Sequence, residues 1–276
     1  MRPENPKNIR EELDLSSINL AFSKQSNHYD QDDASNSILQ VWRNQVYDHV
    51  NAVIKPNSRI LELNAGTGID ALYFARRGHT ILSTDVSDGM ITQINKKIGQ
   101  FNLHATWTAK QCSYEALDKI DGPFDYIFSN FGGLNCIDDL SLVTRHMKRL
   151  LTPDGFVTWT IMPPVCLWEI LWALKGNTKG AFRRFNKKGV MAHLEGEYFR
   201  TYYHSLKKIR KAFGKEFHLL KFEGLGALSP PPSSETFPFD HPVLYAWLTQ
   251  LDRKMHNHFP FNRWADHIIV TFRKKE

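Results

Sequence analysis

Apolar residues along the middle of this 276-residue chain recur in two alternating periods. Residues 59–63, 79–84, 105–108, 125–129 and 156–161 are short apolar runs bounded by polar or turn-forming residues, a pattern that predicts buried strands. Between them, residues 68–77, 88–98 and 140–151 place apolar side chains three and four apart, the spacing of a helix face, and a short helix is expected near 114–117. Gly99 is expected just past the end of the second of these helices, as its stop signal. Ahead of the first strand, Ile38, Leu39, Val41, Trp42, Val46, Tyr47 and Val50 give residues 37–50 a helical stripe, with Asn36 as its N-cap. Later runs at 216–223 and 267–272 read as two more strands, separated by a Pro230-Pro231-Pro232 loop wall and an apolar helix near 243–251.

Alternation of this kind predicts an α/β fold, a doubly wound and mostly parallel sheet joined by right-handed crossovers. Ligands of such sheets bind beyond the carboxyl ends of the strands, where the strand order reverses. Glu62, Asp85, Asn130 and Met162 fall at those ends. The turn after the first strand reads Asn64-Ala65-Gly66-Thr67-Gly68. Glycines at 66 and 68 let the backbone pass close to a ligand, and Asp85, ending the second strand, is placed to grip a ribose diol. A nucleoside-containing cofactor follows. Gly66-Thr67-Gly68-Ile69-Asp70-Ala71 also fits the dinucleotide pattern, in which a helix N-terminus receives a pyrophosphate. Glu62 would repel that group but would attract the ammonium of an amino-acid-bearing nucleoside. The acid therefore argues for S-adenosylmethionine over NAD, and against an NAD-binding oxidoreductase.

On these residues the chain resembles the class I S-adenosylmethionine-dependent methyltransferases, whose first motif is an acid followed by x-G-x-G-x-G. Asp85-Val86-Ser87-Asp88-Gly89-Met90 is similar to the family's second-strand acid and following helix, Phe124-Asp125-Tyr126-Ile127-Phe128-Ser129-Asn130 to its fourth strand, and Leu150-Leu151-Thr152-Pro153-Asp154-Gly155 to the turn into its fifth. Asn64 stands where the family has its first glycine, and Asn is the side chain that best tolerates a positive φ. The resemblance covers residues 36–162. It implies a Rossmann-like sheet of seven strands with the last one antiparallel, and S-adenosyl-L-methionine as cofactor, leaving as S-adenosyl-L-homocysteine. By motif matching, Glu62, Asn64, Gly66 and Gly68 would hold the methionine part, Asp85 the ribose, and Val86 or Met90 the adenine face. Cys112 or Ser113 falls where many members have an Asp for the adenine amino group, and Asn130 and Phe131 would line the methyl-transfer side. Residues 1–35 carry His28-Tyr29-Asp30, similar to the Tyr-Asp pair of an N-terminal arm that folds over the cofactor; the alternative is a frayed terminus. Asp266 and His267, at the start of the antiparallel strand, reach the same edge of the sheet.

Composition changes this picture in one place. Residues 163–215 hold twelve basic and three acidic side chains, a local balance of +9 in a chain whose formal charge is +6. The same segment carries Trp168, Trp172, Phe182, Phe185, Tyr198, Phe199, Tyr202 and Tyr203. Spacings of three and four among Trp168, Leu171 and Trp172 predict an α-helical lid with solvated lysines outside and aromatics facing an acceptor. A basic surface stacking on nucleic acid is the alternative, and docking on an anionic membrane a third. The chain is thus divided into an arm over the cofactor site (1–35), a cofactor-binding core (36–162), the lid (163–215) and the last two strands with an inserted loop and helix (216–276). The function expected is methyl transfer to a small, aromatic or lipophilic acceptor. An RNA methyltransferase using the basic lid, and a non-catalytic cofactor-binding partner subunit, are the other readings. Ser129-Asn130-Phe131-Gly132 lacks the prolines that accompany methylation of nucleobase amines. Tyr203 and His204 are the candidates for a general base, with no metal site expected. Three cysteines without metal spacing, a polar N-terminus and no run of about 20 apolar residues suggest a cytoplasmic protein without a transmembrane segment.

Overall fold

The computed structural model describes residues 6–275. Residues 1–5, on which the reading of no secretory signal rests, lie outside the described residues. Three helices lead in: α1 (Pro6–Gln25), α2 (Tyr29–Ser35) and α3 (Ser37–Asn51), the last capped by the Asn36 side chain accepting from the Leu39 N–H at 3.0 Å. The alternating part then runs β1 (Arg59–Leu63), α4 (Ile69–Ala75), β2 (Thr80–Asp85), α5 (Asp88–Gln100), β3 (Trp107–Gln111), β4 (Phe124–Ser129), α6 (Ser141–Thr144), α7 (Met147–Leu150) and β5 (Leu151–Ile161). Next come α8 (Leu167–Leu171), α9 (Thr178–Ala181), the hairpin strands β6 (Val190–Leu194) and β7 (Glu197–Thr201), then α10 (Leu206–Phe213), β8 (Phe217–Leu225), α11 (Phe237–Asp240), α12 (Pro242–Met255) and β9 (His267–Lys274).

Seven strands form one sheet in the order β3-β2-β1-β4-β5-β9-β8, parallel except for β9, which runs antiparallel to both neighbours. Alternating side chains feed two cores. Ile60, Tyr126 and Phe128 pack with Trp42, Val46 and Phe74 under α3 and α4. Leu61, Leu63, Ile127 and Trp159 pack with Met147, Ile209 and Phe213 under α7 and α10. The order reverses between β1 and β4, and that switch positions the site.

Several expected boundaries move. Gly99 lies inside α5, one residue before its end, and so does not stop it. The helix expected over 140–151 is two single turns, because β5 begins at Leu151 and takes in Pro153-Asp154-Gly155 through an irregular register opposite Phe124 and Tyr126. The third strand begins at Trp107, where pairing with Ile81 begins.

The lid departs most. It is not a helical layer: its helices are single turns, the first ended by Gly176 at φ +81°, and its largest regular part is the β6–β7 hairpin. Glu195 and Gly196 form the two-residue turn, both at positive φ, the conformation that matches hairpin twist. α10 belongs with the sheet, since Leu206, Ile209 and Phe213 are buried in its core. Both ends of the lid meet at one buried residue. Asn135 accepts from Met162 N–H at 2.9 Å and donates to the carbonyls of Met162 and Tyr202, while its own carbonyl accepts from Tyr202 N–H.

Candidate active site

At the switch point a cleft of about 250 Å³ opens over the carboxyl ends of β1, β2, β4 and β5. Its floor is polar, with Glu62, Asn64, Gly66, Asp70, Asp85 and Asn130, and its roof is apolar, with Ile18 and Phe22 from α1 and Ala192 and Phe199 from the hairpin. Phe22 and Phe199 meet with ring centroids 5.7 Å apart, and Lys24 bonds Glu197 at 2.7 Å on the outer side. Arm and hairpin thus form one cover.

The turn explains why the floor is open. Asn64 adopts φ +52°, the left-handed conformation that its short amide side chain allows where glycine was expected. Gly66, at φ +56°, has only open space where a Cβ would point, so ligand atoms can come close to the backbone there. Gly68 has another task. A Cβ on it would sit 2.4 Å from the Trp107 ring, so this glycine lets the start of α4 pack on β3, and it does not line the cleft.

Asp85 holds the turn and faces the cleft. One carboxylate oxygen accepts from Gly66 N–H and the other from Ser87 N–H, both at 2.9 Å. Burial pushes its carboxyl up to about 6, against the pull of those N–H groups. A buried carboxylate with lone pairs still free is suited to accept from hydroxyls. Burial, with the Asp70 carboxylate nearby, also pushes the Glu62 carboxyl up. One Glu62 oxygen accepts from Ser83 Oγ at 2.7 Å, and the other has no donor among the described residues. A cationic ligand group beside Glu62 would relieve that deficit.

Behind the floor lies a network that periodicity alone did not reveal. Arg43, from the buried stripe of α3, bridges Asp70, at 2.5 Å, and Asp33 of α2, while its guanidinium lies 4.8 Å from the Phe131 ring centroid. Asp70 also accepts from the Tyr47 hydroxyl at 2.8 Å and from Asn130 Nδ2 at 3.0 Å. Arg43 lines the cleft, and its Nε has no hydrogen-bond partner among the described residues. A signal was present in the sequence: a cation between Trp42 and Val46 on an apolar helix face must find acids. The arm is tied again at Asp30, which accepts from Thr67 Oγ1 at 2.5 Å and pairs with Lys97 at 2.6 Å.

The expected site residues therefore divide. Tyr29, Glu62, Asn64, Gly66, Asp85, Val86, Met90, Asn130 and Phe131 come together in the lining with Met162, which was placed at the same strand ends, and with the unanticipated Tyr114, Cys136 and Thr201. Cys112 and Ser113 do not line it. Cys112 is buried with its N–H on the Asp85 carbonyl and its thiol on the Ala116 carbonyl, and Ser113 caps the next turn through Glu115 N–H. Tyr114 presents the ring on that side instead.

Tyr203 and His204 are also outside the lining. The Tyr203 ring lies under the Arg184 guanidinium, 5.0 Å away. His204 is fully buried with Nε2 on the Ile137 carbonyl at 2.9 Å, and burial pushes its imidazole down to about 4, so it is a neutral structural residue. Two lid arginines are engaged by buried acids, Arg184 from the interior and Arg183 from the exposed side. Buried Arg184 bonds Glu169 at 2.8 Å and Asp266 at 2.9 Å and reaches the carbonyl of Asp266, and Arg183 takes the second Glu169 oxygen. Asp266 is in turn 2.8 Å from His267 Nδ1. Burial raises the Asp266 carboxyl, but Arg184 and His267 outweigh it and hold it well below the usual carboxylate range. Cys166, Glu169 and Asp266 converge closely enough for a metal, yet the Arg184 guanidinium already neutralises their acids.

Comparison with known proteins agrees with this geometry. Residues 60–155 match the family model described as a methyltransferase domain. The ubiquinone/menaquinone biosynthesis C-methyltransferase UbiE of Xanthomonas campestris is 31% identical over 144 residues, covering 50% of this chain and 55% of the relative. UbiE of Rickettsia bellii is 29% identical over 157 residues, 54% and 62% respectively. The chain thus spans little more than half the length of these curated relatives. Among solved structures, a methyltransferase from Methanosarcina mazei superposes with TM-score 0.57 at 15% identity over 83% of this chain and 97% of that one. The 1,6-didemethyltoxoflavin-N1-methyltransferase of Burkholderia thailandensis gives 0.55 at 14% over 95% and 88%. At those identities the likeness speaks for the fold. The matched segment, the strand order and the turn between Glu62 and Asp85 all agree: residues 60–155 form a methyltransferase domain on a Rossmann-like sheet.

Proposed function

We propose that the protein transfers a methyl group from S-adenosylmethionine to a small lipophilic acceptor. The observation that carries this reading is the pairing of Asp85 and Glu62 on one polar floor beneath an apolar roof. Asp85 would accept from the ribose hydroxyls, Glu62 and the open turn at Gly66 would receive the amino-acid end, and Val86 and Met90 would flank the adenine. When bound, the cofactor supplies an already activated methyl group. What the chain must add is alignment and exclusion of water, and alignment alone accounts for a large share of such a barrier. Phe131 and Met162, at the ends of β4 and β5, with Phe22 and Phe199 above, supply a dry wall against which a flat or greasy acceptor can be held.

The relatives named for ubiquinone and menaquinone biosynthesis favour a quinone-like ring and a carbon nucleophile as the finer version of this reading. Engagement of Arg183 and Arg184 by buried acids takes two cations from the face that an RNA would use, which favours the small acceptor. The test is a calorimetric titration with S-adenosylhomocysteine, with NAD in parallel, on the wild type and Asp85→Ala. It is followed by transfer from tritium-labelled S-adenosylmethionine to a short-chain prenylated hydroquinone. Micromolar binding lost in the variant, and labelled product, are expected. Saturable NAD binding without S-adenosylhomocysteine binding would overturn the reading.

A further inference from the structure

Exposed apolar side chains concentrate at one place outside the cleft. On α11 and α12, Phe239, Val243 and Trp247 are 75%, 83% and 58% exposed, and Val243 and Trp247, four residues apart, share one face of α12. The loop after α12 adds Phe259, 67% exposed and in edge contact with Trp264. The lid is tied to this region. Trp168 of α8 donates to the Leu228 carbonyl and packs its ring edge on Phe237, and Leu167 N–H bonds the Trp264 carbonyl. Beyond α8, Leu174 is 84% exposed. Solvent-facing apolar groups gathered this way mark a binding surface.

Charge selects the occupant. Arg253 and Lys254 are exposed at the end of α12, and Arg263 lies over the Phe259 ring. In the neighbouring lid Lys179, Lys187 and Lys188 are exposed, within the segment whose balance is +9. Two acids, Glu235 and Asp240, are exposed beside Phe239, but the end of α12, the following loop and the lid turn present only cations. A second copy of the chain would set most of these cations against themselves, whereas an anionic surface would gain from them, and protruding Phe, Val and Trp side chains with Lys and Arg nearby are the chemistry of a bilayer interface.

We propose that this face, formed by α11, α12, the following loop and the neighbouring lid turn, docks on a bilayer carrying anionic lipids. It draws its purpose, though not its test, from the lipophilic acceptor proposed above: such a substrate resides in a membrane, and the lid that touches the bilayer also roofs the cleft.

The experiment is co-sedimentation of the full chain with phosphatidylcholine vesicles, with and without phosphatidylglycerol. The variants are Phe239→Ser/Val243→Ser/Trp247→Ser and Arg253→Gln/Lys254→Gln, each also titrated with S-adenosylhomocysteine as a check on folding. The wild type is expected to bind vesicles containing phosphatidylglycerol, and to bind about tenfold more weakly without the anionic lipid or in high salt. Either variant should lose about tenfold in vesicle binding with its ligand titration unchanged. Absence of binding to anionic vesicles, or undiminished binding by the triple variant, would overturn the proposal. So would a wild-type dimer in sedimentation velocity that the triple variant dissociates, because the face would then belong to a second copy. Loss of S-adenosylhomocysteine binding with vesicle binding intact would count against the cofactor reading alone.

Discussion

The floor and the roof of the cleft are held by different physics. The floor is the rim of a parallel sheet, and its side chains are aimed by strand ends and by three left-handed residues, Asn64, Gly66 and Gly68, in one tight turn. The roof has a small apolar cluster, Ile18, Ala21 and Phe199, and is otherwise tied down by ion pairs, most of them between residues far apart in sequence: Lys24 to Glu197, Asp30 to Lys97, and Arg184 to Asp266 and Glu169. A floor built this way is fixed before any ligand arrives. A roof built this way depends on a few charges and can be released by removing one.

Arg184→Ala is the most severe way to break the contrast. It strands the buried Glu169 and Asp266 carboxylates, and breaking such a pair costs about 3–5 kcal/mol. Thermal unfolding should show that loss, and a change under about 1 kcal/mol would mean that the lid does not depend on this network. Asp85→Ala comes next. Two hydrogen bonds to a charged acceptor correspond to roughly a hundredfold in S-adenosylhomocysteine affinity, with little loss of folding stability.

The two glycines of the turn sharpen the comparison within the floor. Gly68→Ala adds a Cβ in collision with Trp107 at φ +79° and should cost about 2 kcal/mol or more in stability. Gly66→Ala, with open space, should cost about 1 kcal/mol of strain and should mainly weaken ligand binding, as differential scanning and calorimetry would separate. Acidity offers a milder probe. The folded, ligand-free protein keeps a proton on Asp85 up to about pH 6, whereas the unfolded chain releases it at the ordinary value, 3.8. As pH rises between those values Asp85 therefore lowers stability, and a ligand that donates to the ionised form restores it. S-adenosylhomocysteine affinity should fall by at least about tenfold per pH unit below 6, and the raised Glu62 carboxyl should extend the dependence up to about 8; a flat profile below 6 would remove Asp85 from the contact. Lys187→Glu with Lys188→Glu should be smallest, within about 0.5 kcal/mol in stability and without effect on a small acceptor. Abolished turnover there would restore the nucleic-acid reading.

The same division explains what could be read from the sequence. The alternation of strands and helices, the turn and Asp85 follow from apolar runs, helical spacing and a glycine motif, all local in the chain. Asn64 at positive φ was readable for the same reason. Cys112, Ser113 and Gly68 were drawn to the site by position in a motif, but the side chain that reaches the cleft is Tyr114, and Gly68 serves a packing contact with Trp107. The hairpin escaped because its short strands are only partly buried, so their polar and apolar residues give no clean alternation. Tyr203 and His204 were attractive by composition, yet Arg184 and the Ile137 carbonyl occupy them. Pairings such as Arg184 with Asp266 join residues far apart in sequence, and no local period records them.

Asn135 joins the two ends of the lid into a neck. Since Met162 and Tyr202 are held against one side chain, everything between them is a loop whose closure the sheet has already fixed. Lengthening such a loop is cheap, about 0.6 kcal/mol for each doubling. The segment that matches the domain model ends at residue 155, short of the neck. Residues 163–201 thus form one insert closed at a single neck, and a different insert there would have to replace its outer ties as well, Arg184 to Asp266 and Lys24 to Glu197, before the same floor could serve a new acceptor.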